Sequence, residues 1–372
     1  GTELFEQLPE HEALLKSKNK EESSTGGLFS MAIASKPVME TIKKKRQFLS
    51  FSDSRSEAAF FACYMTSFYQ EFLRRRGIWH VIQKNQDSIR KNPWEIVTLV
   101  NELTAYFDTN RTFAAPGDAG KANLTAASRH QAWVAVLNEM VGAKRSTSLV
   151  SLGILDFSYK GNRPQFMEAV ANKYDKSIAD VTALFHLLVM DLVYNGALEG
   201  EGVNLTDDER EYIYYAAFPR KFVKCKQSES ERKKNYISGW LPRQRPNGGS
   251  FKNGRVTRTM QVLGISEEEA IGLLSDFWDA VLVQSEFSMT HDSGAEYYIS
   301  TNRFVVKVGS EDLPVFVCEK CGKTTMTNCQ ERCVSIKCDG KLRRISHEEL
   351  LSENHFARLY STEQMHPMHI KE

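Results

Sequence analysis

Five of the seven cysteines fall between positions 318 and 338, and this cluster constrains the fold more than any other feature. In the segment VFVCEKCGKTTMTNCQERCVSIKCDGKL (315–342), the first pair is Cys318-x2-Cys321, followed by Gly322. That spacing predicts a knuckle turn, in which backbone N–H groups point at the thiolates. The second half offers Cys329, Cys333 and Cys338, and Cys338-Asp339-Gly340 repeats the Cys-x-Gly turn. Tetrahedral Zn²⁺ takes four ligands, so one of the five is spare. The favoured set is Cys318, Cys321, Cys333 and Cys338. Cys329 lies in the polar tether 327–330 and can take the place of Cys333. An odd, clustered cysteine count points to metal rather than to a disulfide framework, and so to a reducing, cytoplasmic compartment. Four thiolates leave no open coordination position, and no His-x-Glu precedes a Pro-Cys-x-x-Cys, so the ion is expected to be structural. The competing reading is a set of reduced thiols that merely cluster.

The charge balance excludes one class of function. The 372 residues carry 48 Lys+Arg against 47 Asp+Glu, a net charge of +1. A histone-like polycation is ruled out, though local basic patches are not. The length predicts two or three domains, and 41% hydrophobic with 26% charged residues is an ordinary globular composition,. No apolar run approaches the roughly 20 residues of a membrane span, and the acidic start GTELFEQLPEHEALLK is no secretory signal,. No membrane partner is expected.

Along the chain, residues 1–40 read as a linker or lead-in, with KSKNKEESSTGG at 16–27. Lys43-Lys44-Lys45-Arg46 precedes the apolar run 47–51, the pattern of a buried parallel strand,. A helix capped by Asp53 or Ser54 follows, with Cys63 on its apolar face and Arg74-Arg75-Arg76 at a solvated end; this strand and helix occupy 41–80. Residues 81–225 read as a helical block, with helices at 94–106, 127–142, 163–174 and 178–194. The Gly-rich turn in 197–205 is either a wing or a surface hairpin. Residues 226–312 combine a basic segment, anchored by Tyr236 and Trp240, with a helix at 266–283. Ser266 and Glu269 give that helix a capping box,. Strands at 296–300 and 303–308, joined by Thr301-Asn302, complete a winged-helix-like pattern. A zinc ribbon at 313–345 and a helix within 346–372 finish the chain. The expected fold class is α+β, predominantly helical. No Gly-x4-Gly-Lys-Ser/Thr, Gly-x-Ser-x-Gly, His-Glu-x2-His or Gly-x-Gly-x2-Gly motif occurs, and Gly117-Asp118-Ala119-Gly120-Lys121 has the wrong spacing for a phosphate loop,.

The run from Lys43 through Gln47-Phe48-Leu49-Ser50-Phe51-Ser52-Asp53-Ser54-Arg55-Ser56-Glu57-Ala58-Ala59-Phe60-Phe61-Ala62 resembles motif IV and the following helix in the second RecA-like domain of superfamily 2 DEAD/DEAH-box helicases. The branch is the MrfA-like helicases and their relatives in the phage-defence systems Druantia and DISARM, which carry a cysteine-rich C-terminal domain. Phe68-Tyr69-x2-Phe72-Leu73-Arg74-Arg75-Arg76 and Trp240-Leu241-Pro242 before a basic loop agree. So do the cysteine pattern ending at Leu342 and Asn354-His355-Phe356-x-Arg358-Leu359-Tyr360. These motifs occupy about a fifth of residues 40–372, and 80–235 corresponds to a variable helical insertion.

The resemblance implies a partial RecA-like α/β element carrying a large helical insertion and a four-cysteine zinc ribbon. The parent would be an ATP-dependent DNA translocase or helicase of anti-phage defence or DNA repair. Its ATP and Mg²⁺ motifs lie outside this segment, so the chain alone is expected not to hydrolyse ATP. Implied partners are single-stranded or forked DNA, the remaining helicase domains and other defence-system proteins. Ser52, Ser54 and Arg55 would donate to phosphate oxygens; alternatively, Asp53 caps the helix and Arg55 pairs with an acid. The basic loop, with Arg243, Arg245, Lys252 and Arg255, would guide a strand while Trp240 or Phe251 stacks on a base. The alternative is a solvated basic loop. Two other classes stay open: a protein–protein scaffold of a defence complex, and a stand-alone zinc-ribbon and winged-helix regulator.

Overall fold

The computed structural model describes residues 55–361 except 114–124, 143–146, 162, 201, 215–221, 229–230, 232–236, 244–250, 252, 290–295, 310–313, 336–337 and 354. The expected lead-in and motif IV strand, with Ser52 and Ser54, lie outside the described residues, as do Arg245 and Lys252. The chain divides into one unit of Gly1–Phe72 with Met365–Glu372 and a second of Leu73–Gln364. Every described sheet belongs to the second unit, a mixed α+β assembly dominated by helices.

Helix α1 (Arg55–Lys91) kinks at Asn85, whose side chain turns back to the Val81 carbonyl at 2.9 Å,. Helix α2 (Ile96–Thr109) buries Ile96, Leu99, Val100, Leu103 and Phe107, one face at helical spacing,. It packs along α3 (Thr125–Val141), which is buried continuously from Ala132 to Val141 and so is a central core helix. After α4 (Pro164–Lys173) comes α5 (Ile178–Tyr194), starting where the sequence predicts: Ser177 Oγ accepts the Asp180 N–H at 3.0 Å,. Nine buried residues make α5 the second core helix, and the short α6 (Asp207–Tyr214) follows it. Among the described residues no single helix is long and apolar enough to cross a membrane.

Among the described residues, three small sheets organise the strands. In the first, β8 (Phe304–Val308) pairs antiparallel with both β1 (Trp94–Glu95) and β2 (Leu155–Tyr159), setting Val306 opposite Trp94 and Phe157. In the second, β7 (Tyr297–Ser300) pairs parallel with β3 (Leu198–Glu199) and antiparallel with β4 (Phe222–Lys224) and β6 (Phe287–Met289). Strand β5 (Ile237–Gly239) lies parallel to β4. The third sheet has the order β10 (Thr324–Thr325), β9 (Val315–Cys318), β11 (Leu342–Ile345).

The winged-helix expectation does not hold. Strands β7 and β8 are not a hairpin; the 3-10 turn Thr301–Arg303 passes the chain from one sheet to another. Two-residue hairpins need positive φ at the turn, which Gly and Asn adopt and a β-branched residue resists. Thr301 is 2% exposed and belongs to the core. Residues 198–199 are likewise no wing but a strand held parallel to β7. The 266–283 helix is α8 (Glu267–Phe277), with its capping box formed, and it continues as a π-helical stretch, Trp278–Glu286. The last helix divides into α9 (His347–Glu353) and α10 (His355–Ser361).

The three consecutive arginines are buried, not solvated, because α1 continues past them through Ile78, Trp79, Val81 and Ile82 into the core. Arg74 donates to Gln131 Oε1 at 2.7 Å and lies over the rings of Phe113 and Tyr212. Arg75 Nε meets Glu139 Oε1 at 2.6 Å, with side-chain exposures of 4% and 0%. Glu139 Oε2 accepts the Leu149 N–H at 2.7 Å, and Arg75 Nη1 donates to Thr147 Oγ1 at 2.8 Å. One carboxylate thus joins α1, α3 and the turn after α3. Removing one partner of a buried pair leaves a charge uncompensated. Glu139→Ala is therefore expected to lower unfolding stability by about 3–5 kcal/mol. Truncating the surface pair Arg343–Glu349 at 3.3 Å should change it by less than about 1 kcal/mol. Urea midpoints at constant m-value compare the two; equal effects would refute the assignment.

Candidate metal centre and the adjoining cleft

The first knuckle closes at the end of β9. Cys318 N donates to the Lys323 carbonyl at 2.8 Å, and Gly322 N to the Cys318 carbonyl at 2.9 Å. Gly322 has φ +70°, the left-handed conformation that glycine accepts without strain,. In the second knuckle, Ser335 N points at Cys333 Sγ at 3.4 Å and Gly340 N at Cys338 Sγ at 3.5 Å. Cys333 N donates to the Gly340 carbonyl at 2.9 Å. A Cβ on Gly340 would stand 2.5 Å from Cys318 Sγ and 2.7 Å from Lys320 Cβ, so only glycine lets the two knuckles approach.

These turns bring the sulfurs of Cys318, Cys321, Cys333 and Cys338 within 4.8 Å of one another. Cys318–Cys338 and Cys321–Cys333 are 3.9 and 3.5 Å apart. Around a tetrahedral ion with bonds of about 2.3 Å, sulfurs sit about 3.8 Å apart. The four residues can therefore hold a metal ion. Burial raises the Cys318 thiol, but the N–H groups of Cys321 and Lys320 outweigh it and bring it down to about 7. Burial pushes Cys321 and Cys333 up. Thiols this close cannot all ionise unless a cation compensates them.

Cys329 does not belong to the cluster. Its Sγ faces the Asp180 carbonyl of α5 at 3.7 Å, and burial pushes its thiol up to about 12. Gln330 and Glu331, both at positive φ, turn the chain between Cys329 and Cys333, and the Arg332 N–H donates back to the Cys329 carbonyl at 3.1 Å. The choice that spacing leaves open thus falls to Cys333.

The basic segment is rearranged relative to the expectation. Residues 254–258 are the first turn of α7 (Gly254–Leu263), whose N-cap Asn253 accepts the Arg255 N–H at 2.9 Å. Arg255 is 6% exposed; its Nη2 meets Asp191 Oδ2 at 2.8 Å and its Nη1 the Gly239 carbonyl at 2.9 Å. Trp240 is wholly buried and donates its indole N–H to the Leu274 carbonyl at 2.7 Å. Trp240 therefore offers no open face for stacking, and the Arg255 guanidinium is engaged within the fold rather than on an exposed basic loop. Arg243 lies over the ring of Phe251, 4.6 Å from its centroid, and Phe251 is 36% exposed. Arg55 lies in α1, and its side chain is outside the described residues.

Sequence reasoning missed Arg258, which is 1% exposed on α7. Its Nη2 donates to the carbonyls of Ser335 and Cys338 at 2.6 and 3.0 Å, beside the thiol cluster. It also missed the exposed cations Lys341, Arg343 and Arg344. The charged pair Arg343-Arg344 set between the apolar Leu342 and Ile345 was the available signal for these.

A cleft of about 600 Å³ lies between α5, β2, the start of α7 and the cysteine-rich sheet. Asp156, His186, Tyr194, Arg243, Phe251 and Lys323 are among its lining residues. Burial raises Asp156 to about 6, against the N–H groups of Phe157 and Met326 and the charge of Lys307. Burial lowers His186 to about 4, and Lys307 adds to it. His186 Nδ1 accepts the Tyr159 N–H at 3.4 Å, which puts the ring proton on Nε2,.

These shifts predict opposed pH effects. The contribution of His186 is complete above its ordinary 6.5 and is lost as pH falls through about 4,. That of Asp156 is complete below its ordinary 3.8 and is lost as pH rises through about 6,. Between pH 7 and pH 4, His186→Gln is therefore expected to lose about 2–3 kcal/mol less stability than the parent. Urea unfolding of both proteins at the two pH values measures this, and any acid release of metal is common to both. For the metal centre, Cys333→Ser is expected to abolish metal retention after dialysis, while Cys329→Ser leaves it intact. Elemental analysis of the two variants is the check, and the reverse order would refute the ligand set. No family model, curated protein or solved structure matches the chain, so the ligand set rests on these turns and distances alone.

Proposed function

We propose that this chain is the nucleic-acid-gripping accessory region of an ATP-dependent superfamily 2 DNA helicase or translocase of anti-phage defence or DNA repair. The observation that carries the reading is the convergence of Cys318, Cys321, Cys333 and Cys338 in two knuckles, the arrangement that the helicase resemblance requires. Thiolate is a soft ligand, and four of them with no open position suit a structural Zn²⁺. Such an ion would cross-link the two knuckles. The rest of the region's work falls to its own side chains, and ATP and Mg²⁺ belong to other domains of the parent. The RecA-like character of residues 41–80 rests on the sequence resemblance, and the reduced thiols suit a cytoplasmic protein.

The surface of the cysteine-rich sheet supports DNA as the partner. Lys341, Arg343 and Arg344 are exposed along and beside β11, and half-buried Lys323 lies on the same module. Cations set around a rigid sheet neutralise phosphates and displace counterions without reading sequence. Changing Lys341, Arg343 and Arg344 together to Ala is expected to weaken binding to fluorescent single-stranded DNA. The slope of log K against log[salt] should fall by about 2, at roughly 0.7 for each phosphate that is no longer neutralised. Anisotropy at several salt concentrations is the measurement. An unchanged slope would sink the assignment, and salt-insensitive binding to a partner protein would favour a scaffold.

A further inference from the structure

The cleft between α5 and the cysteine-rich sheet has an unusual chemistry. Its acids are compensated within the fold: Asp191 is paired with Arg255 at 2.8 Å, and Lys307 acts on Asp156. A free cation therefore gains little there. A simple anion is no better served, because Asp156 and Asp191 both line the space. What remains in the deep part is a set of hydrogen-bonding groups: the Asp156 carboxyl, the neutral His186 imidazole and the Tyr194 hydroxyl. Met190 and Leu241 supply apolar lining. Toward solvent stand Phe251, with Arg243 lying over its ring, and Lys323. Such a gradient, hydrogen-bonding groups and a compensated ion pair within and an aromatic ring with cations outside, matches a planar heterocycle carrying a phosphate.

We infer that this cleft is a pocket for a single nucleotide, its base facing Asp156, His186 and Tyr194 and its phosphate meeting Arg243 and Lys323. The inference rests on the nucleic-acid reading above and deepens it: one unstacked base of a gripped strand enters the cleft while the backbone follows the basic surface. A volume of about 600 Å³ lies within the usual range for small-ligand sites, roughly 300–1,000 Å³.

The test uses the full chain and needs no variant for its first arm. The four deoxynucleoside 5′-monophosphates, ribose 5-phosphate and inorganic phosphate are each titrated by ligand-observed NMR. At least one nucleotide is expected to bind, and more tightly than either base-free phosphate. Thr327 meets Thr325 through its backbone N–H and carbonyl, so Thr327→Trp places bulk on the wall while keeping those bonds. Asp156→Asn alters the base-facing edge while keeping its shape. Both should weaken nucleotide binding about tenfold or more, with thermal unfolding confirming that the variants are folded. If no nucleotide binds at about millimolar concentration, or phosphate alone binds equally well, the inference is overturned. It is also overturned if both folded variants bind as the parent does. Single-stranded DNA titrations of the same proteins separate the two readings. DNA binding that persists without nucleotide binding removes the pocket and keeps the surface; nucleotide binding without DNA binding keeps the pocket and removes the strand grip.

Discussion

A guanidinium cannot shed its charge at physiological pH, yet Arg258 is 1% exposed. Burial disfavours that charge, and the neighbouring cysteine sulfurs favour it. Its Nη2 is held by the carbonyls of Ser335 and Cys338, two residues of the second knuckle. This group ties the cysteine-rich sheet to the helical core. Four thiolates around a divalent ion carry a net charge of −2, and a buried cation at hydrogen-bond range from the knuckle backbone answers part of it. One turn earlier on α7, Arg255 reaches Asp191 on α5. A single short helix with two buried arginines thus links the sheet to the second core helix, with the cleft between them.

What could be read from the sequence was local. Cys-x2-Cys-Gly and Cys-x-Gly state their geometry within five residues, because the turn itself brings the N–H groups to the sulfur. The start of α5 at Ser177 and the box of Ser266 with Glu269 are equally local, and both form. The misreadings concern residues whose environment is set far along the chain. Arg75 faces Glu139, 64 positions away, and Arg255 faces Asp191, also 64 positions away. From sequence alone, a run of arginines on a helix and an arginine in a Gly/Asn-rich segment both look solvated. Trp240 is the same case: an aromatic in basic surroundings resembles a stacking platform until Leu274 supplies the acceptor for its indole.

The strands show a second limit. Alternation marks 296–300 and 303–308 as strands but says nothing about which strand each pairs with. The short link between them suggested a hairpin, whereas a buried Thr301 makes it a transfer between sheets. That transfer is why β2 pairs with β8 at the end of one sheet while β3 lies against β7 in another. Asp156 on β2 and Tyr194 near the end of α5 come close through this crossing. A hairpin would have spent β8 on β7 and left β2 without its partner. The cleft is therefore a product of topology, invisible to any window of sequence.

Metal and cleft are joined by chain connectivity. Lys323, Thr324, Thr325 and Thr327 line the cleft, and all four lie in the loop that Cys321 and Cys333 would close when both bind one ion. A ligand bond across that loop removes conformational freedom from the wall. The wall is also pinned from the core side, where Thr324 Oγ1 donates to the Ser151 and Val150 carbonyls. Beneath it, Gly153 at φ +66° leaves room for Val315 and Leu350, which a Cβ would meet at 2.8 and 2.9 Å. A wall that a bound ion would hold at one end, and that a close-packed turn holds at the other, keeps its shape without a large core of its own. That is how a module with two small buried clusters, one of Val315, Met326, Ile345 and Leu350 and one of Cys318, Cys333 and Leu342, can keep a defined concave surface.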